Sequence, residues 1–183
     1  MENSERLWAP WRLEYVTGAE AALVPPEPDA WLDEADRGCF LCRAGSEFGK
    51  SSDADRQQLV VARDERVLVM LNRYPYNNGH LLVAPRRHAA ELANLVPEEH
   101  LACMEWLARL TQVFRALIRP DGFNIGLNLG RAAGAGLPGH LHWHLVPRWS
   151  GDTNFMSSLA GTRVIPQSLE AMWELLSEAL RKS

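Results

Sequence analysis

Cysteine is scarce in this chain, three residues in 183, and the opening MENSERLWAPW carries Glu2 and Glu5 where an export signal would be apolar. Both features point to a reducing compartment, so the cytoplasm is the expected location. Long apolar runs are also missing. The strongest, Val67–Leu71 and Leu81–Ala84, fall far short of the ~18 residues of a membrane span, so no membrane partner is expected. There is no excess of positive charge: 19 Lys+Arg against 23 Asp+Glu leave a net charge of −4. Such a balance gives no field for holding a polyanionic duplex, and nucleic acid is set aside as a partner. Repeats and low-complexity tracts are absent as well. What remains is 46% hydrophobic and 23% charged, an ordinary globular composition. A chain of this length buries roughly 70% of its unfolded surface, enough for one core without disulfides. A cytosolic enzyme is the working class.

Three stretches differ in texture. Residues 1–38 mix Trp8, Trp11 and Trp31 with Pro10, Pro25, Pro26 and Pro28, which forbids a long helix or a central strand and predicts an irregular arm. Residues 39–150 alternate strand and helix signals. Residues 151–183 read as a loop and then a helix from about Pro166, with Leu169, Met172, Trp173, Leu176 and Leu180 on one face. In the middle stretch, Leu59–Ala62, Val67–Asn72 and Leu81–Ala84 are short β-rich runs separated by turn signals, an expected antiparallel meander. A helix is predicted from about Pro97 to Ile118, because Cys103, Trp106, Leu107, Leu110, Val113, Phe114 and Leu117 keep helical spacing. Phe123–Leu129 and His140–Val146 read as two further strands. Hairpin strands with one long helix indicate an α+β fold rather than a wound βαβ sheet.

The most informative segment is His140-Leu141-His142-Trp143-His144-Leu145-Val146. A strand has period 2, so the three imidazoles share one face and Leu141, Trp143 and Leu145 share the other. A half-buried strand with a chance histidine face is the bland alternative, yet three of only six histidines fall within these five residues. Side chains two strand positions apart run nearly parallel, which makes a single metal site from all three awkward. A division of labour fits better, with one imidazole doing chemistry and its neighbours orienting it. A neutral imidazole is suited to nucleophilic or acid–base work near neutral pH and can attack phosphorus.

Directly upstream lies a glycine-rich loop containing Gly130, Gly134, Gly136 and Gly139, whose backbone N–H groups could meet an anion; a plain flexible loop is the alternative. Asn124 and Asn128 share parity on the preceding strand. Cys39-Phe40-Leu41-Cys42 is a C-x-x-C, open between a redox pair, half of a zinc site and two unremarkable thiols, although no βαβ pattern supports the redox reading. Cys103 reads as a buried small hydrophobe and His100 as solvated. Arg86 and Arg87 are balanced between phosphate contacts and an exposed basic turn, while Arg148, just beyond the histidines, is the better phosphate candidate.

The pattern His-φ-His-φ-His-φ-φ at His140–Val146 resembles the motif of the histidine triad (HIT) family of nucleotide hydrolases and transferases. Asn72–Pro85 is similar to that family's N-x-x-P-x-x-x-G-H-x-L-V-x-P segment, and the likeness spans about residues 39–150. Leu7–Arg12 and Pro147–Phe155 further resemble a bacterial branch likened to diadenosine tetraphosphate phosphorylases. The resemblance implies an antiparallel sheet of about five strands, continued across a homodimer. It also implies that His142 is the nucleophile on an α-phosphorus, flanked by His140 and His144. Asn72 and His80 would line the nucleoside pocket, and Asn128 would sit near ribose or phosphate; Gly130, Gly134, Gly136 and Arg148, read from the loop and the strand end themselves, complete the expected nucleotide site. Zinc-containing relatives imply a structural Zn2+ held by Cys39, Cys42, His88 and His140. Magnesium would enter only with a polyphosphate substrate. The chain departs from the family's A-G-Q-[ST]-V-x-H approach: Ala135-Gly136-Leu137-Pro138-Gly139 has neither the Gln nor the hydroxyl.

The expected function is therefore cleavage at the α-phosphate of an adenine nucleotide, with a diadenosine polyphosphate as the small-molecule partner. Phosphoramidate hydrolysis is the alternative within the class, and a nucleotide-binding signalling module the alternative outside it.

Overall fold

The computed structural model describes residues 26–48, 52–153 and 166–182; Trp8, Trp11 and the rest of 1–25 lie outside the described residues, as does Phe155. Five strands follow the predicted runs closely: β1 (Val60–Arg63), β2 (Val67–Leu71), β3 (Leu81–Pro85), β4 (Gly122–Leu127) and β5 (Trp143–Arg148). They form one sheet in the order β1-β2-β3-β5-β4, antiparallel at every pairing. The first three are the meander that the turn signals specify. β5 then inserts between β3 and β4, which places the histidine segment inside the sheet rather than at its rim.

Alternation divides the side chains between two apolar layers. Val67, Val69, Leu71, Leu81, Val83, Leu141, Trp143 and Leu145 face a core closed by two helices. These are α3 (Pro97–Leu117) and α4 (Leu169–Lys182). Helix α3 starts where Pro97 presets the first turn and Glu99 reaches back to accept the Val96 N–H at 3.0 Å. Its stripe of Cys103, Leu107, Leu110 and Phe114 is buried on the sheet. Helix α4 begins three residues after Pro166, capped by the Ser168 hydroxyl, which accepts the Ala171 N–H at 3.2 Å. Trp173 on α4 donates its indole N–H to the Val60 carbonyl at 2.7 Å and so ties that helix to β1.

Leu68, Met70, Leu82 and Ala84 face the opposite layer, together with Leu41, Ala44 and both cysteines of the C-x-x-C. That layer is covered by a short helix absent from the sequence reading, α1 (Phe40–Gly45); a second unpredicted helix, α2 (Ser52–Gln58), leads into β1. Trp31, Ala35 and Leu137 pack against it. The described part of the N-terminal arm is irregular and is pinned by a bridge between Ala30 and Glu47.

Two strand limits differ from expectation. The histidine strand starts at Trp143, not His140, because the Leu141 N–H is given to the Ala89 carbonyl at 2.7 Å instead of a ladder partner. The strand read as Phe123–Leu129 ends at Leu127, where the chain turns into the glycine loop.

Candidate functional site

The parity argument holds despite the shorter strand: the rings of His140, His142 and His144 lie on the opposite side of the sheet from Leu141, Trp143 and Leu145, which enter the helix-covered core. They are not equivalent. His140 is fully buried, and its Nε2–H donates to the Pro85 carbonyl at 2.8 Å, leaving Nδ1 as an acceptor. That nitrogen lies 3.3 Å from Cys39 Sγ and 3.4 Å from Cys42 Sγ. His88 Nδ1 lies 3.1 Å from Cys42 Sγ. The four ligand atoms all fall within 4.8 Å of one another. A tetrahedral ion with S at ~2.3 Å and N at ~2.0–2.1 Å sets its ligands about 3.5 Å apart, so these residues fit a metal ion. The thiol chemistry agrees. The Cys39 S–H steadies a Cys42 thiolate and lowers its pKa, while that neighbour and burial push Cys39 up to about 12. Ionising both sulfurs needs a cation between them.

His142 is turned differently. Its Nδ1 lies 2.8 Å from the His140 carbonyl, which can only accept, so Nδ1 carries the proton and Nε2 carries the lone pair. Burial lowers its pKa and keeps the ring neutral at pH 7. A neutral imidazole with one nitrogen pinned and the other unprotonated is the form a nucleophile requires.

His144 belongs to a second chain of contacts. The Tyr76 backbone N–H donates to His80 Nδ1 at 3.0 Å, and Asn72 Nδ2 lies 3.3 Å from the same atom. His80 Nδ1 is therefore an acceptor, and its Nε2–H points at His144 Nδ1, 2.9 Å away. His144 in turn holds its proton on Nε2. The His142 and His144 rings meet edge-on, with centroids 5.1 Å apart. That Tyr76 orients His80 through its main chain escaped the sequence reading; a backbone donor leaves no mark in residue identity.

The turn from Asn72 to His80 depends on Gly79. It has φ +73°, and an added Cβ would stand 3.0 Å from the Phe114 ring. Across the ladder His144 is paired with Gly126, where an added Cβ would meet nothing within 4 Å. The ladder ends with Leu127 opposite Trp143, and Asn128 and His142 are the next residues beyond that last pair. Gly130 and Gly134, at φ +73° and +86°, bracket a single 3-10 turn, Arg131–Ala133. Gly139 lies against the His88 ring, where an added Cβ would stand 3.7 Å from Nε2.

The other arginine candidates are spoken for. Arg148 donates to both carboxylate oxygens of Asp152, at 2.6 and 2.8 Å, and to Asn124 Oδ1 at 2.7 Å. Arg86 spans Gly45 O, Asp64 O and Glu47; Arg87 grips Glu99 and Asn94 O. Cys103 is buried on α3, its thiol pushed up to about 12 by burial, and serves the core. His100 is half-buried, with Nε2 on the Leu92 carbonyl.

A family model described as the HIT domain matches residues 54–151, which contain the triad, the Asn72–Pro85 segment and the whole sheet. The chain belongs to the HIT domain family. Over 176 residues this HIT protein is 42% identical to the AP-4-A phosphorylase of Mycobacterium tuberculosis, covering 96% of this chain and 84% of that one. It is 28% identical over 134 residues to the adenosine 5'-monophosphoramidase hnt1 of Schizosaccharomyces pombe, covering 73% and 97%. Its fold is similar to that of a Zn-bound histidine triad family protein from Mycobacterium smegmatis, with TM-score 0.56, 32% identity and coverage of 68% and 84%. Among the described residues, no helix is long and apolar enough to cross a membrane.

Proposed function

We propose that this HIT protein transfers a nucleotidyl group from a diadenosine polyphosphate, through a covalent intermediate on His142. The observation that carries the reading is the tautomer of His142, with Nδ1–H held on the His140 carbonyl and the lone pair on Nε2. Nε2 attacks the α-phosphorus, an Nε2–P bond forms, and the bond from phosphorus to the bridging oxygen breaks. From diadenosine tetraphosphate the leaving group is ATP. Inorganic phosphate then attacks the adenylyl-histidine and releases ADP, or water attacks and releases AMP. The 42% identity to a phosphorylase over 96% of this chain favours phosphate as the acceptor.

His144, oriented by His80, presents its Nε2–H to the charge that builds on the phosphoryl oxygens or on the departing oxygen. Both ring nitrogens of His80 are engaged within the chain, so it acts by positioning His144, and Asn72 supports it. Asn128 and the loop N–H groups not spent on closing its turn, as those of Gly134 and Ala135 are, supply donors to the α-phosphate. Arg148 contributes by holding the loop after β5 through Asp152.

Cys39, Cys42, His88 and His140 hold a zinc ion in this reading. With four protein ligands the metal has no open position; it cross-links α1 to the triad. Magnesium riding on the phosphates is part of the substrate, and no residue of the chain is assigned to it. Strand β4 is a free sheet edge among the described residues, with Ile125 48% exposed, which suits pairing with a second copy into a continuous sheet. The reading keeps its location in the cytoplasm.

The deciding experiment incubates the purified protein with diadenosine tetraphosphate, with and without inorganic phosphate. ATP and ADP appearing only with phosphate is the expected result. AMP and ATP without phosphate identifies a hydrolase, and inertness alongside cleavage of adenosine 5'-phosphoramidate shifts the assignment to that substrate. The relative from Schizosaccharomyces pombe is the reason to include this last substrate.

A further inference from the structure

A dinucleoside polyphosphate brings one negative charge per bridging phosphate, and the leaving half carries most of them. Cations near the triad must meet that charge. Arg148 is neutralised by Asp152, Arg86 by Glu47 and Arg87 by Glu99. Arg73 donates to the Gln57 carbonyl. Arg131 differs from all four. It is exposed and, among the described residues, makes no side-chain hydrogen bond, ion pair or ring contact.

Its placement is also distinctive. Arg131 opens the 3-10 turn between Gly130 and Gly134. Two backbone bonds close that turn: Gly134 N–H to Arg131 O at 3.0 Å and Ala135 N–H to Gly130 O at 3.2 Å. The loop is therefore a compact unit carrying one unpaired guanidinium. It is anchored at both ends on the histidine side of the sheet. At one end Gly134 sits 3.9 Å from Asn128 Nδ2, measured from an added Cβ; at the other, Leu137 packs on the apolar layer behind the triad. Arg131 stands three positions beyond Asn128, at most about 11 Å of chain, and Asn128 and His142 are the residues next beyond the last ladder pair, Leu127 with Trp143. The next phosphates beyond an α-phosphorus at His142 are within that compass.

We infer that Arg131 is a specificity-determining residue that binds the leaving-group phosphates, selecting polyphosphate substrates over those whose α-phosphate carries an amine. This rests on the reaction proposed above. A guanidinium pairs with a phosphate through two parallel N–H bonds, and the pairing strengthens as the bridging bond breaks and charge moves onto the leaving oxygen. A leaving amine offers it no partner.

The test compares wild type, Arg131→Ala and Arg131→Lys on diadenosine tetraphosphate and adenosine 5'-phosphoramidate. The ratio of kcat/KM for tetraphosphate over phosphoramidate falls roughly 10- to 100-fold in the alanine variant, as expected for a lost charged hydrogen bond. The lysine variant recovers part of it, because charge returns without the fork. An unchanged ratio overturns the assignment. Binding of a nonhydrolysable methylene analogue of the tetraphosphate, measured against AMP by calorimetry, separates this inference from the reaction itself. If wild type cleaves neither substrate, the proposed reaction fails. An analogue affinity that still falls about 10-fold in Arg131→Ala relative to AMP then upholds the subsite, and an equal affinity overturns it.

Discussion

The carbonyl oxygen of His140 accepts the Nδ1–H of His142 at 2.8 Å, while the His140 ring faces two cysteine sulfurs at 3.3 and 3.4 Å. One residue thus belongs to the candidate metal cluster by its side chain and to the proposed nucleophile by its backbone.

Replacing His142 with alanine removes the only imidazole in the described residues whose Nε2 is left unprotonated by a carbonyl contact. Turnover of diadenosine tetraphosphate falls by roughly 10³-fold or more, on the order expected when a nucleophile is deleted, while nucleotide binding persists. Intact-protein mass spectrometry after a rapid quench shows an adenylyl adduct on wild type and none on the variant.

His80 lies entirely out of solvent and touches His144 through Nε2 at 2.9 Å. His80→Gln loosens the orientation of that neighbour. A drop in kcat on the order of 10²-fold with KM little changed is expected. A rise in KM with kcat intact would assign His80 to substrate binding instead.

The purified protein is expected to contain about one equivalent of zinc per chain, and Cys42→Ser to lose it. Since 1 kcal/mol shifts melting by roughly 2–4 °C at this size, loss of a structural metal lowers the melting temperature by about 10 °C. Elemental analysis and calorimetry on the same samples provide the check.

Gly79→Ala forces a side chain into a left-handed backbone position and against the Phe114 ring at 3.0 Å. The cost is about 1–3 kcal/mol by denaturant unfolding, together with reduced activity, since His80 is the next residue.

The Arg148 guanidinium beside Asp152 holds that carboxyl well below the ordinary carboxylate range. A depressed folded pKa contributes stability that is complete above the unfolded value of ~3.9 and disappears as pH falls through the folded value. Asp152→Asn therefore costs about 1–2 kcal/mol at neutral pH, a modest figure because the Arg148 side chain is 44% exposed. The gap between wild type and variant is flat above about pH 4 and narrows only below it.

Much of this was written in the order of the residues. Period-2 alternation alone sorted His140, His142 and His144 from Leu141, Trp143 and Leu145, because a strand has two faces and nothing else. The helical spacing after Pro97 marked out the long helix, and Asn77-Asn78-Gly79 marked the turn. The short helices α1 and α2 were missed because neither is long enough to show a period. Arg86 and Arg87 looked available for phosphate because their carboxylate partners stand 39 and 12 residues away in sequence, Glu47 and Glu99.

The linear chain decided which side chains would share a surface, since local backbone geometry repeats at fixed intervals and needs no distant partner. It did not decide what each imidazole would do. Those roles depend on acceptors and donors brought in by other elements: Pro85 O for His140, the Tyr76 N–H for His80, and the sulfurs of the C-x-x-C nearly a hundred residues upstream of the triad. A ring with two nitrogens takes its tautomer from whatever faces it, and only folding puts a face there.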